Sequence, residues 1–373
     1  MSLSSVTQTD APVHAITAAA YTIPTDAPEA DGTLQWDSTT LVIANVRAGD
    51  ATGVGYTYCD AAAVPVITGV LADAVVGCAA NDVGAAFDRM VKAVRNIGRP
   101  GIAGMAISAV DTALWDLKAR LLGLPLHQLF GRVRDAVAVY GSGGFTSYDQ
   151  HQLRNQLSRW IYEGIPRVKI KIGQSWGSNV SRDLSRIRQA RKEIGPDVEL
   201  FVDANGAYTA KLAIRIMAEA HDSDVRWFEE PVSSDDLAGL RIVRDAVASD
   251  VAAGEYGYDL TYFVRMCAAG AVDCVQADVT RCGGYTEWMR IAAVAAAHNL
   301  EISGHCAPQL HAHIAAATPN LRHLEWFHDH VRIEAMVFDG HLTAGDGVLR
   351  PDAAAPGHGL TVRETDLARY RVG

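Results

Sequence analysis

Three carboxylates recur at equal intervals in the middle of the sequence, each at the point where a short apolar run ends. Glu229 lies 26 positions after Asp203, and Glu255 lies 26 positions after Glu229. A strand followed by a helix takes about that length, so each acid is expected at the carboxyl end of a buried parallel strand. Carboxylate oxygens that converge from three strand ends form a site of hard ligands, and such ligands favour Mg2+.

A single acid after a strand has a more ordinary interpretation, as a helix N-cap or a solvated loop residue. Three acids in one register are harder to explain in that way. The preceding strand also carries charge, since Lys169 and Lys171 flank Ile170 in an otherwise apolar segment. Asn205 lies two residues after the first acid, where it could touch a bound substrate. We therefore predict a metal site with the three acids as its ligands.

Two further strand ends carry a candidate acid–base pair. Asp278 ends one apolar run, and His305 ends the next, 27 positions later. A carboxylate that binds a histidine fixes its tautomer and raises its pKa, which makes the imidazole a competent base. A lone histidine after a strand is more often an ordinary polar residue, but an acid on the neighbouring strand favours catalysis. Glu325 lies in the last predicted strand, whereas His328 and His330 follow it and are interpreted as loop residues.

A closed barrel of parallel strands would bring these groups to one rim. Eight strand–helix units close most simply into a (β/α)8 barrel of the TIM type, because the crossovers are right-handed and no sheet edge remains. The fold class is therefore α/β, and the barrel domain is predicted to span residues 133–332. The predicted strands span residues 137–140, 167–172, 199–202, 225–228, 251–254, 272–277, 301–304 and 322–326.

The flanking segments differ from the barrel in pattern. Residues 1–132 begin with three predicted strands that have no helices between them, which indicates an α+β domain. Residues 333–373 hold turns and short strands and are expected to return to that domain, so that both segments form a cap on the barrel. The helices predicted in the first segment lie near residues 61–75, 82–94 and 104–122.

Two parts of the predicted cap are expected to close over a ligand as a lid. They are a polar loop at residues 22–39, which includes Trp36, and a glycine turn at residues 53–58. Neither part contains a lysine or an arginine. The glycines of residues 141–144 are interpreted as turn glycines, because they complete no phosphate-binding motif.

Composition excludes several classes of protein. The 373 residues are 49% hydrophobic and 20% charged, with a net charge of −10 and no basic cluster, which argues against nucleic acid as a partner. No run approaches the length of a membrane span, and residues 1–13 form a polar lead-in without the order of a signal peptide. The six cysteines show no paired spacing, which fits free thiols in a reducing cytoplasm.

Taken together, the motifs resemble those of the enolase superfamily, mandelate racemase subgroup, over nearly the whole chain. The resemblance implies a Mg2+-dependent enzyme, expected to be a homo-oligomer, that removes the proton alpha to a carboxylate through an enediolate. The matching positions are residues 113–118 and 129–131, the pair Lys169 and Lys171, the ligands Asp203, Glu229 and Glu255, the dyad Asp278 and His305, and Glu325.

The resemblance also implies a role for each residue. Lys169 neutralises a carboxylate oxygen and helps to keep Lys171 uncharged, because a nearby like charge lowers the pKa of an ammonium. Lys171 is then the base on one face of the substrate, and His305, held by Asp278, is the acid or base on the other. Glu325, if protonated, donates a hydrogen bond to the substrate carboxylate.

The reaction is less tightly specified than the site. An acid-rich lid suits a polyhydroxy monoacid, because a diacid needs a cation for its distal carboxylate and an aryl acid needs an apolar lid. The prediction is dehydration of a monoacid sugar to a 2-keto-3-deoxy acid. A racemase or epimerase of a 2-hydroxy acid is the alternative, and a barrel that has lost catalysis and only binds is a remote one.

Overall fold

A long β-hairpin begins the cap. The computed structural model describes residues 11–372, so most of the predicted polar lead-in lies outside the described part of the chain. β1 (Val13–Ala30) and β2 (Gln35–Ala48) pair antiparallel, and β3 (Ala51–Tyr58) adds to β2. The loop predicted at residues 22–39 is therefore wrong, since most of it is paired strand. Buried and more exposed residues roughly alternate there, as in a ribbon that covers another surface with one face.

The helices of the cap follow β3 and pack on one face of its sheet. Their buried side chains form a core of their own with those of the first two strands. The longest helix ends at Gly123, whose φ of 66° is the left-handed conformation that commonly ends a helix. In chain order the helices are α1 (Ala63–Pro65), a π-helical turn (Val66–Leu71), α2 (Ala72–Val75), α3 (Val83–Ala93), α4 (Ile102–Leu122) and α5 (Leu126–Leu129).

Glycines in two strands let helices lie unusually close. A β-carbon on Gly53 would lie 2.1 Å from the carbonyl oxygen of Ala113 in α4, and a β-carbon on Gly141 would lie 2.5 Å from the ring of Trp160. Both glycines belong to strands rather than to the predicted turns, and their role is close packing.

Eight parallel strands form the closed barrel, which confirms the predicted fold class. Strand pairs run in sequence order from β4 to β11, and β11 pairs with β4 to close the ring. The strands are almost continuously buried because helices cover the outside and side chains fill the inside. The strands are β4 (Val137–Gly143), β5 (Arg167–Lys171), β6 (Glu199–Asp203), β7 (Val225–Glu229), β8 (Asp250–Ala253), β9 (Cys274–Ala277), β10 (Glu301–Gly304) and β11 (Leu321–Phe327).

Helices connect these strands and form the outer layer. They are α6 (Gln150–Tyr162), α7 (Gln174–Gly177), α8 (Val180–Ile194), α9 (Ala210–Glu219), α10 (Leu237–Arg244), α11 (Leu260–Ala269), α12 (Gly284–Ala297), α13 (Pro308–Ala316) and α14 (His328–Val337). No helix in residues 11–372 is both long enough and apolar enough to cross a membrane.

The C-terminal segment touches both parts of the molecule. Its elements are β12 (Phe338–Asp339), β13 (Val348–Leu349), β14 (Thr361–Val362), α15 (Glu364–Leu367) and β15 (Arg371–Val372). β15 pairs with β1 of the cap, whereas β13 pairs antiparallel with β4 of the barrel. The division of the chain near residues 132 and 332 stays a prediction.

Candidate active site at the barrel mouth

The three predicted metal ligands meet at the carboxyl ends of neighbouring strands. Asp203 ends β6, Glu229 ends β7, and Glu255 follows β8 by two residues. All three side chains are buried, and each offers an oxygen within 4.8 Å of the others. Gly254 sets the direction of the third acid, because its φ of 136° suits glycine and a β-carbon there would lie 2.2 Å from the Gln276 carbonyl oxygen.

The donors at this point fit a magnesium ion. They are carboxylate oxygens, the ligands that a hard divalent cation prefers. Oε2 of Glu255 and Oδ1 of the adjacent Asn205 are buried and accept no hydrogen bond from any residue between 11 and 372, although Nε2 of His305 lies 3.3 Å from the former. The site therefore presents oxygen atoms that still need a positive partner.

Both lysines of β5 reach the same carboxylates. Nζ of Lys169 donates to Glu229 at 2.5 Å and lies 2.7 Å from Glu325, and Nζ of Lys171 donates to Asp203 at 2.5 Å. Burial and Lys169 lower the pKa of Lys171, but Asp203, Glu255 and Glu325 together raise it by more, so the pKa lies above its ordinary value. Lys169 thus acts in the expected direction, but these protein charges alone leave Lys171 protonated, and a neutral Lys171 stays a prediction. A bound divalent cation changes that balance, because it becomes the largest local charge.

Asp278 and His305 form the predicted hydrogen-bonded pair. Nδ1 of His305 lies 2.8 Å from Oδ2 of Asp278, and both side chains are buried. Burial lowers the pKa of His305, but Glu255, Glu325 and the bond to Asp278 raise it above the ordinary value. The geometry leaves Nε2 of His305 as the atom that can exchange a proton with a substrate.

Glu325 is surrounded by donors. It accepts hydrogen bonds from Oγ of Ser142 at 2.5 Å and from the backbone N of Cys306 at 2.9 Å. Burial raises the pKa of Glu325, but Lys169, His305 and Lys171 together lower it by more, to well below its usual range. These partners favour the ionised carboxylate, and a protonated Glu325 that donates to the substrate stays a prediction for the enzyme with Mg2+ and substrate bound.

A cavity of about 560 Å3 opens over these groups. Its walls come from the barrel mouth and from the cap hairpin, whose turn lies directly on the strand ends. A β-carbon on Gly32 would lie 2.8 Å from the carbonyl oxygens of both Ala204 and Ile172, so only glycine fits there. The predicted site residues that line the cavity are Trp36, Lys171, Asn205, Glu255 and His305.

Several cavity residues escaped the sequence reasoning. Arg281 donates to the Glu255 backbone oxygen at 3.1 Å and lies 3.6 Å from Asp278, so it joins the metal ligands to the dyad. Its position three residues after a strand-end acid was the available signal. His330 was interpreted as a loop residue, but it lies in α14, stacks on Tyr58 of the cap with ring centroids 3.4 Å apart, and lines the cavity.

The fold and the site agree with the family to which the chain belongs. Residues 19–131 match the mandelate racemase / muconate lactonizing enzyme N-terminal domain, and residues 152–366 match the enolase C-terminal domain-like family. The chain is a member of the mandelate racemase subgroup of the enolase superfamily and is a lyase or isomerase of that superfamily.

Individual relatives of known name or structure are similar to the chain over most of its length. The chain is 33% identical to L-talarate/galactarate dehydratase of Salmonella typhimurium over 82% of its length and 78% of the relative's. A mandelate racemase/muconate lactonizing enzyme-like protein from Rubrobacter xylanophilus is 46% identical, with a TM-score of 0.93 over 97% of this chain and 100% of that one. A racemase from Streptomyces coelicolor with bound magnesium is 29% identical, with a TM-score of 0.91 over 96% and 100%.

Other relatives are named as dehydratases and cycloisomerases of acid sugars. Solved structures of similar chains hold magnesium together with small-molecule acids. Magnesium is thus the cofactor of this superfamily, and the predicted Mg2+ dependence is confirmed at that level. The role of each site residue, the expected homo-oligomer and the cytoplasmic location stay predictions.

Proposed function

We propose that the protein dehydrates a monoacid sugar to a 2-keto-3-deoxy acid. The observation that carries the proposal is that Lys171 and His305 line one cavity beside the cluster of Asp203, Glu229 and Glu255. A small acid in that cavity would lie between two proton-transfer groups. Mg2+ held by the three carboxylates supplies positive charge that stabilises the negative charge developing on the substrate carboxylate.

The residues of the chain supply the proton transfers. Lys171, as base, takes the proton from the carbon next to the carboxylate, and the electron pair of that bond forms the enediolate. His305, as the imidazolium held by Asp278, gives its Nε2 proton to the beta-hydroxyl, so that the carbon–oxygen bond breaks and water leaves. The resulting enol becomes the 2-keto-3-deoxy acid when a proton adds to carbon 3. Lys169 neutralises negative charge beneath the substrate.

Charge around the cavity supports a monoacid. The lysine and arginine among the described lining residues are Lys171 and Arg281, and Arg281 is already engaged by Glu255 and Asp278. A diacid would need a free cation for its distal carboxylate. The lining residues from the cap instead offer hydroxyls and acids that can bind the hydroxyls of a sugar, namely Asp31, Ser38, Thr39, Thr40 and Asp60.

A library of acid sugars, screened with a carbonyl reagent that detects the keto acid, tests this proposal. Turnover is expected on monoacids that carry a beta-hydroxyl, and a Glu229→Gln enzyme is the blank. Turnover on diacids alone would overturn the choice of substrate, and inversion without keto-acid formation would overturn dehydration.

Racemisation or epimerisation is the second candidate, and one observation favours it. The two bases lie at the carboxyl ends of β5 and β10, three strands apart by the shorter way round the barrel. One could therefore take a proton from one face while the other returns a proton to the opposite face. Proton NMR of the recovered substrate distinguishes the reactions. An epimerase converts the substrate into a diastereomer of equal mass, whereas a dehydratase releases water.

A further inference from the structure

A second group of metal-ligating side chains lies outside the barrel mouth, where the cap hairpin meets the start of α14. Asp26, Glu29 and His328 each offer a ligand atom within 4.8 Å of the others, and we call them the hairpin cluster. Nε2 of His328 lies 3.0 Å from Oδ2 of Asp26. Two residues come from β1 and one from the barrel, so any occupant of the cluster would join the two parts.

Glu29 is the member that its protein surroundings do not satisfy. Its side chain is fully buried, and Oε2 accepts a hydrogen bond from Nε1 of Trp36 at 2.9 Å. Oε1 is buried and accepts no hydrogen bond from any described residue. A buried carboxylate with an unpaired oxygen is costly, so the group needs a cation or a proton.

Neighbouring charges do not supply that cation. A guanidinium whose charge acts on Glu29, that of Arg332, donates to Oδ1 of Asp329 at 2.6 Å and to the Pro24 carbonyl oxygen at 2.7 Å. Oδ2 of Asp329 accepts from Thr39. Asp329 is therefore satisfied, and its charge adds to the negative potential around Glu29.

The cluster is also reachable from solvent. Asp26 is about half exposed, and His328 is partly exposed. Both line a cavity of about 770 Å3 between α6 and α14, separate from the cavity of the barrel mouth. An ion could therefore enter without passing through the active site.

We propose that the hairpin cluster is a second metal site, for a borderline divalent cation of the zinc class. Two carboxylates and one imidazole form a donor set that Zn2+ accepts and that Mg2+, which favours oxygen ligands alone, does not select. The ion would fasten the hairpin to α14. It would also hold Trp36, which donates to Glu29 and lines the active-site cavity. The proposal does not depend on the reaction at the barrel mouth.

Metal counting tests the proposal on the full chain. Zn2+ displaces Mg2+ from most shared sites, so the barrel mouth also binds zinc, and the informative quantity is the difference between proteins. Equilibrium dialysis against Zn2+ should find one ion fewer per chain in Glu29→Gln than in wild type. Asp37→Asn, an exposed acid of the same hairpin, is the matched control and should keep the wild-type number.

Crystals soaked in Zn2+ locate the ion. An anomalous peak about 2.0–2.2 Å from the ligand atoms of Asp26, Glu29 and His328 is expected. Should Glu29→Gln fail to fold, His328→Gln removes a partly exposed ligand and should give the same loss of one ion. Equal zinc counts in wild type and the variants, or peaks confined to the barrel mouth, would overturn the proposal and leave a proton on Glu29.

Discussion

The barrel mouth and the surface where the cap meets the barrel neutralise buried acids in different ways. At the mouth, Glu229 and Asp203 each accept from a lysine of β5. On the cap side, Glu29 accepts from Trp36, and Glu334 accepts from Tyr56. Within residues 11–372 neither of these two acids has a lysine or an arginine in ion-pair range. The lysines lower the pKa of both mouth acids and hold that of Asp203 below its ordinary value, although burial still raises that of Glu229. Acids without such a partner retain a proton or recruit a cation.

Removing magnesium should have the largest effect on activity, because it takes away the positive charge that the carboxylates of the barrel mouth bind. Chelation should abolish turnover, and added Mg2+ should restore it. Ligand binding at 100 times its Kd stabilises a fold by about 2.7 kcal/mol, so Mg2+ should also raise the melting temperature. Asp203→Asn should lose this rise, while the exposed Asp37→Asn should keep it. A rise of equal size in Asp203→Asn would contradict the assigned ligands.

Replacement of either base should cause the second-largest loss of activity. General acid–base groups contribute about 10²–10⁴-fold, so Lys171→Ala and His305→Asn should each lower kcat by that factor. Circular dichroism should show an unchanged fold. Lys192→Ala, an exposed lysine of α8, is the control for general loss of a positive charge. Normal turnover in both active-site variants would remove these residues from the mechanism.

Gly32→Ala should have a smaller effect, mainly on substrate binding. The added methyl group meets the carbonyl oxygens of Ala204 and Ile172 at 2.8 Å, so the hairpin turn must lift from the strand ends. KM is expected to rise by roughly tenfold, equivalent to about 1.4 kcal/mol, with kcat less affected. Gly84→Ala is the matched control, because a β-carbon there meets nothing within 4 Å. Unchanged KM in Gly32→Ala would show that the turn does not shape the cavity.

Glu334→Gln should have the smallest effect, on the pH dependence of stability. Burial raises the pKa of Glu334 to about 8 from its ordinary value of 4.5. Between these pH values the folded chain holds a proton that the unfolded chain has released, so the free energy of unfolding falls as pH rises. The variant lacks this loss. Its free energy of unfolding, measured relative to that of wild type, should therefore rise with pH by at most about 1.4 kcal/mol per pH unit.

Denaturant unfolding of both proteins at several pH values measures that difference in free energy. The exposed Glu219→Gln is the control and should follow the wild-type pH dependence. A difference in free energy of unfolding between Glu334→Gln and wild type that stays constant from pH 5 to pH 8 would show that Glu334 does not hold a proton in the folded chain.

The barrel mouth was predictable from sequence because each strand is a short apolar run that stops at a charge. That regularity placed Asp203, Glu229, Asp278 and His305 at one rim before any contact was known. The lowered pKa of Glu325 was not predictable, since it depends on how close Lys169 lies in space.

The cap was less predictable because its strands carry no such regular signal. Residues 22–39 are polar, as loops are, yet most of them pair in a hairpin whose turn lies on the strand ends of the barrel. The packing glycine Gly53 has the sequence appearance of a turn, and only the approach of α4 reveals its purpose. Arg281 joins the ligands to the dyad through contacts that sequence spacing alone does not encode.

Turnover in D2O tests the central claim, removal of the proton alpha to a carboxylate, most directly. An acid sugar that is a substrate is incubated with the Mg2+-loaded enzyme and followed by proton NMR. The account predicts that the signal of the alpha proton disappears and that the 2-keto-3-deoxy product carries one deuterium at carbon 3. Product that forms without deuterium at carbon 3, or that retains the original alpha proton, would contradict it.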